Sequence, residues 1–220
     1  RIALLAESPE GCTQVDGEVA AAVEATGKLL EELGHTVEPQ PIPYDFWPLI
    51  DTYTRIAGVQ SAGWVEAMSG FVGREAQGDD LAPLYWSMIE KARATTGVEH
   101  SNDIEAMRMM CRDLVMKMSE YDVWLMPSIP GPAREHGWYD MSLDVETYNK
   151  TRMGPDCAFS VPFNASGQPA ISLPLHETSS GLPIGIQFVG RDQDEATLLR
   201  LAGQLEEALP WKDRKPALLD

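Results

Sequence analysis

The sequence predicts an α/β fold, with a helical insertion between its first β-α-β unit and its later strands. Three observations carry this. The opening stretch runs from an apolar strand-like segment through an amphipathic helical segment to a second strand-like segment. From about Phe46 to Tyr121 the pattern is helical. The last third returns to short apolar runs separated by polar turns, and closes on one more amphipathic helix.

The elements follow in order. "RIALLAES" is a mostly apolar run ending in a polar turn, which suits a buried strand. Asp16 is placed to cap a helix whose apolar side carries Val19, Val23, Leu30 and Leu33, and Glu18 complements the dipole in its first turn. Gly34 supplies the stop, and "HTVEPQ" reads as the next strand. "DFWPLIDTYTRIAGVQSAGWVEAM" continues past Pro48 as one or two helices, and "GREAQGDD" is a polar loop. Leu81 to Thr95 reads as a further helix. Asn102 and Glu105 form an N-x-x-E start for the helix after it, behind which Met107, Met110, Cys111, Leu114 and Met118 keep helical spacing. That stripe is read as an apolar packing face rather than a soft-ligand site. "DVWLMP" is a short buried strand, followed by the long proline-rich connection "SIPGPAREHGWYDMS". "PAISLPL" and "IGIQFVG" are strands, and Asp192 with Glu195 sets a start for the last helix, which carries Leu198, Leu201, Ala202 and Leu205.

Composition narrows the partners. Against 17 basic residues stand 34 acidic ones, for a formal charge of −17. Such a surface repels phosphate backbones, so nucleic acid is excluded as a partner. Cys12, Cys111 and Cys157 lie far apart, without the short spacing of a metal site, and read as reduced thiols in a cytoplasmic setting. No apolar run reaches membrane-spanning length, so no membrane contact is expected. The chain opens on Arg1 already in a strand-like run, and reads as the continuation of something longer.

A catalytic set is sought in vain. Ser179 and Ser180 precede Gly181, but a nucleophile elbow leads from strand into helix, and here a strand follows. They read as a polar turn. In "GVQSAG", Gly58 stands one residue too far from Ser61, inside a helical stretch. His35, His100, His136 and His176 show no i, i+4 pair; His35 follows a helix stop, His100 precedes a cap, and the other two read as loop residues. Of six lysines, Lys28, Lys91 and Lys117 fall on exposed helix positions and Lys212 and Lys215 in the tail, leaving only Lys150 with an undetermined setting. No glycine-rich phosphate loop follows a strand, and no cofactor or metal is implied.

The long stretch "FNASGQPAISLPLHETSSGLPIGIQFVGRDQDEATLLRLAGQLEEALPW" resembles the C-terminal part of the amidase signature enzymes, which share F-N-x-x-G-x-P-A-I-S-x-P followed by G-L-P-x-G-x-Q and a terminal helix. "RIALLAESPEGCTQVDGEVAAAVEATGKLLEELGHTVEP" and "YDVWLMPSIPGPA" resemble earlier segments of the same family, in the same order. The match is weakest between about residues 41 and 100. The resemblance leans toward the branch that opens cyclic aminohexanoate dimers. It implies that residues 1–220 are the C-terminal part of one such domain, a mixed sheet flanked by helices.

The family hydrolyses amide bonds with a Ser–Ser–Lys triad, carried in a Gly- and Ser-rich signature of its N-terminal half. That signature is missing here, so no catalytic residue is carried over. The resemblance implies a small amide substrate and an N-terminal catalytic half as partners, with self-association as a further expectation. Pro127, Ser128 and Ile129, at the end of a strand, are candidates for a pocket wall, since ligands of open α/β sheets sit beyond strand C-termini. Gln60 and Trp64 are either substrate-facing or packing residues. Gly167 and Pro169 read as structural, shaping the approach to a buried strand. Two other functions compete: a Rossmann-like ligand-binding module, and a non-catalytic scaffold that completes another chain's site.

Overall fold

The structure, a computed structural model, describes residues 1–214. Its chain order is β1 (Ile2–Leu4), α1 (Gly17–Glu32), β2 (Val37–Pro39), α2 (Phe46–Val72), α3 (Pro83–Ala94), α4 (Gly97–Met118) and β3 (Val123–Pro127), then three short helices, α5 (Val145–Tyr148), α6 (Gly154–Asp156) and α7 (Val161–Ser166), and finally β4 (Ala170–Glu177), β5 (Pro183–Gly190) and α8 (Glu195–Ala208). The five strands make one mixed sheet in the order β2-β1-β3-β5-β4. β1 pairs in parallel with β2 and β3, whereas β5 runs antiparallel to both β3 and β4. The helical insertion α2–α4 falls after the first β-α-β unit, as the sequence predicts.

β3 is the middle strand and is buried along its whole length, so it reads as an unbroken apolar run instead of an alternation. Its two faces meet two cores. Val123 and Leu125 join Val19, Val23 and Leu30 of α1 and Leu198, Leu201 and Leu205 of α8. Trp124 and Met126 join Phe46, Leu49 and Ile50 of α2, Leu114 and Met118 of α4, and Phe159 and Phe163 around α7. The methionine stripe belongs to this second core: Leu114 and Met118 are buried, and Met107 and Met110 pack against them.

Local chemistry sets the helix ends. The Asp16 carboxylate accepts the Glu18 amide at 2.8 Å, and Gly34 takes φ +94° just past α1. α2 is a single helix. Pro48 stands at its third position, where no intrahelical amide bond is lost, and Gly73 ends it at φ +79°.

Two helix starts differ from the sequence reading. α4 begins one and a half turns before Asn102, because Thr96 and Glu99 close a reciprocal capping box: Thr96 Oγ1 accepts the Glu99 amide at 3.2 Å, and Glu99 Oε2 accepts the Thr96 amide at 2.8 Å. Asn102, Glu105 and His100 therefore lie inside the helix. α8 is capped by Asp194, whose carboxylate accepts the Thr197 amide and hydroxyl at 3.2 and 2.7 Å. Gln193 turns the chain at φ +60°, which leaves Asp192 outside. β4 also differs: it is an edge strand buried on one face, with Leu173 and Leu175 inward and Ala170, Ser172 and Pro174 exposed.

Candidate substrate-pocket wall

β3 ends at buried Pro127, and the chain turns outward through half-buried Ser128 to Ile129, which is exposed. Two strands hold the turn. The Ser128 amide donates to the Gly185 carbonyl of β5 at 3.0 Å, and its hydroxyl lies 2.6 Å from the Ser172 hydroxyl of β4. Gly185 sits beneath this hydroxyl pair. A Cβ there would stand 2.8 Å from both Oγ atoms, so the junction closes only over glycine. The Asp16 amide donates to the Pro130 carbonyl at 2.7 Å, anchoring the far side of the wall to the start of α1.

The family-like motifs run from this junction, through Ser172 and Gly185, to the opposite end of the sheet, where Gly190 pairs with Val123. Gly167 ends α7 at φ +76°, with its amide on the Phe163 carbonyl at 2.9 Å. The Pro169 carbonyl accepts the Gly190 amide at 2.9 Å, and the buried Gln187 side chain donates to the Phe159 carbonyl. Ser172 and Gly185, which sequence reasoning did not single out, lie inside "PAIS" and "PIG". They lie on different strands, and only the β4–β5 pairing brings them together.

Gln60 and Trp64 stand elsewhere. Both are exposed on α2, and Trp64 lines a groove of about 290 Å³ with Val65, Met68, Val72 and Leu81, rimmed by the Arg74–Asp80 ion pair. Pro127, Ser128 and Ile129 do not line that groove. The structure thus places the five candidate residues in two separate regions, with Pro127 buried and the other four half-buried or exposed.

No catalytic constellation forms among the described residues around the serines, histidines and lysines weighed above. Ser179 and Ser180 occupy the β4–β5 turn, where the Gly181 amide donates to the Thr178 carbonyl and the Ser179 amide to Glu18. Lys150 is exposed and ion-paired with Glu146 at 2.9 Å, which raises its pKa, the opposite of what a lysine base requires. Lys215 lies outside the described residues. Burial pushes the Cys12 thiol up to about 11 and raises Cys111 and Cys157 as well, so these thiols stay protonated. Among the described residues no group of three or more His, Cys, Asp or Glu side chains is arranged to hold a metal ion, and no helix is long and apolar enough to cross a membrane. A dinucleotide reading also loses its anchor. The amino end of α1, where a phosphate would sit, is capped by the chain's own Asp16 with Glu18 beside it.

His176 lies in β4 rather than in a loop, with Nε2 2.9 Å from Thr26 Oγ1. The Thr26 hydroxyl donates to the Ala22 carbonyl, so His176 Nε2 donates to Thr26. Burial, and then the nearby Arg214, lower its pKa. The folded form therefore resists a proton that the unfolded chain accepts at about pH 6.5. Its contribution to stability is full above that value and is lost as the pH falls from it through the lower folded-state value. Urea midpoints are expected to fall less between pH 8 and 5.5 in His176→Gln than in the parent, and equal falls would remove this histidine from the account.

Comparison with known proteins agrees with this architecture. The family model described as Amidase matches residues 1–199. The chain is 32% identical over 227 residues to the 6-aminohexanoate-cyclic-dimer hydrolases of Paenarthrobacter ureafaciens and of Pseudomonas sp. (strain NK87), covering 100% of this chain and 46% of each relative. A solved structure of 6-aminohexanoate cyclic dimer hydrolase superposes with a TM-score of 0.92 at 32% identity, over 100% of this chain and 47% of that one. A bacterial aryl acylamidase of the amidase signature family shares the fold, with a TM-score of 0.76 at 21% identity, over 96% and 44% of the two chains. The chain spans about half the length of these relatives and corresponds to their C-terminal part. With the family's motifs building the junction at the end of β3, and its model matching nearly the whole length, this chain belongs to the amidase family.

Proposed function

We propose that this chain is the part of an amidase that supplies the sheet scaffold and one wall of the substrate pocket, while a Ser–Ser–Lys set carried outside it cleaves the C–N bond. The observation that carries this reading is the Ser128–Ser172 junction over Gly185, built at the strand end where ligands of open α/β sheets bind, in a chain whose described serines and lysines form no catalytic set. Pro127, Ser128 and Ile129 form the wall, and the separate α2 surface with Gln60 and Trp64 has no part in it. The substrate is a small amide, of the class to which a cyclic dimer of an amino acid belongs. The surface charge of −17 favours small neutral or cationic substrates over anything carried on nucleic acid. The reaction belongs to a reducing, cytoplasmic compartment.

Acyl transfer of this kind passes through a serine ester and an oxyanion held by preorganised donors. The experiment is hydrolysis of small amides, 6-aminohexanoate cyclic dimer included, by the full-length polypeptide before and after treatment with a serine-reactive fluorophosphonate. Release of carboxylate and amine that the reagent abolishes is expected. A full-length protein that releases neither, or one indifferent to the reagent, contradicts the proposal.

A further inference from the structure

Two loops that leave neighbouring parallel strands are tied here to one carboxylate. Asp156, at the end of α6, has a side chain only 5% exposed. Its Oδ1 accepts the Thr13 hydroxyl at 2.9 Å and Arg134 Nη2 at 2.6 Å, and its Oδ2 accepts Arg134 Nε at 2.9 Å and the Tyr139 hydroxyl at 3.2 Å. Thr13 belongs to the loop after β1, and Arg134 and Tyr139 belong to the connection after β3. β1 and β3 are parallel neighbours, so both loops leave the same end of the sheet, the end that carries Ser128.

We propose that Asp156 is a positioning residue for the substrate pocket, holding the loops after β1 and β3 together so that the Ser128–Pro130 wall keeps one place. The word "pocket" rests on the amidase reading, and the clamp itself rests on geometry alone. The wall is fixed at one side by the Gly185 carbonyl and at the other by the Asp16 amide, and Asp156 fixes the connection just beyond it. Trp138 extends the clamp, with the guanidinium carbons of Arg134 and Arg152 each 4.7 Å from its ring centroid. Burial works against the charge of Asp156, and the hydrogen bonds from Arg134 and Thr13 outweigh it, so the carboxyl titrates below its usual range. A carboxylate is required chemically. Arg134 presents two parallel donors that match two acceptor oxygens, and an amide would turn one acceptor into a donor facing them.

The test uses the full-length polypeptide with Asp156→Asn, Arg134→Lys and Thr13→Val. Asp156→Asn is expected to speed amide hydrogen exchange in residues 131–143 by about 10-fold or more, as local opening becomes easier. It is also expected to raise KM for a small amide about 10-fold while kcat changes less than about 3-fold, the signature of lost ground-state positioning. Arg134→Lys should reproduce both effects, because a point charge cannot span two oxygens. Thr13→Val should give a smaller shift in the same direction. A folded Asp156→Asn with parental exchange and parental KM overturns the proposal, and so does one that loses only thermal stability. Should Asp156→Asn fail to fold, Thr13→Val decides by the same two readouts. A full-length protein without amidase activity defeats the functional reading and leaves the exchange measurement to judge the clamp. An active enzyme with unaltered loop exchange defeats the clamp alone.

Discussion

Gly154→Ala is expected to destabilise the polypeptide by roughly 3 kcal/mol, at the upper end of what overpacking costs. Residues Asn149–Met153 form a π-helical turn, in which the Gly154 amide donates to the Asn149 carbonyl. A Cβ at position 154 would overlap that same carbonyl oxygen and stand 3.4 Å from Trp47 Cζ3. The obstruction is backbone, and it has little room to retreat, because buried Asn149 is held by a 2.7 Å hydrogen bond from its Nδ2 to Thr54 Oγ1. Strain released by shifting α6 would move Asp156, two residues on, away from its four donors. Urea unfolding of the full-length protein measures the loss. Gly203→Ala is the control: Gly203 lies inside α8 with nothing within 4 Å of its added Cβ, and gains of roughly 0.5–1 kcal/mol are usual for alanine at such helical sites. Equal stability of the two variants would show that the π turn relaxes freely.

Phe188→Ala is expected to cost about 3–5 kcal/mol, the range for truncating a buried phenylalanine. Phe188 is fully buried in β5, the strand that joins β3 to the edge strand. Its register partners are Leu125 on one side and Ile171 on the other, and its ring packs in the core beneath α1 and α8. The two flanking strands hold the cavity walls apart, so collapse is resisted. The urea midpoint should fall with an unchanged slope, since the folded compactness is kept. A loss below about 1 kcal/mol would mean that this core repacks as few cores do.

What was legible in the sequence was local. The unbroken apolar run "DVWLMP" announced a strand buried on both faces, and Asp16 and Gly34 announced the ends of α1, because each acts on backbone within a turn of itself. The start of α4 was hidden by "TTGVEHSN", where glycine and threonine resemble a loop until Thr96 and Glu99 are seen to exchange hydrogen bonds. Asp192 and Asp194 are chemically alike, and only the left-handed turn at Gln193 decides between them. The strand end at Pro127, on which the proposed wall rests, was legible from that same apolar run. Ser172 and Gly185, the partners of Ser128, depended on the β4–β5 register, which includes an irregularity between Leu173 and His176. Asp156 gave no signal, because Thr13 and Arg134 reach it only through the fold.

The proposed function divides the labour, with the pocket wall in this chain and the nucleophile outside it. Peptide mapping of the full-length protein after fluorophosphonate treatment tests that division most directly. One phosphonylated serine is expected, outside these 220 residues, with Ser128, Ser172, Ser179 and Ser180 unmodified. A stoichiometric phosphonate on any serine of this chain would contradict that division.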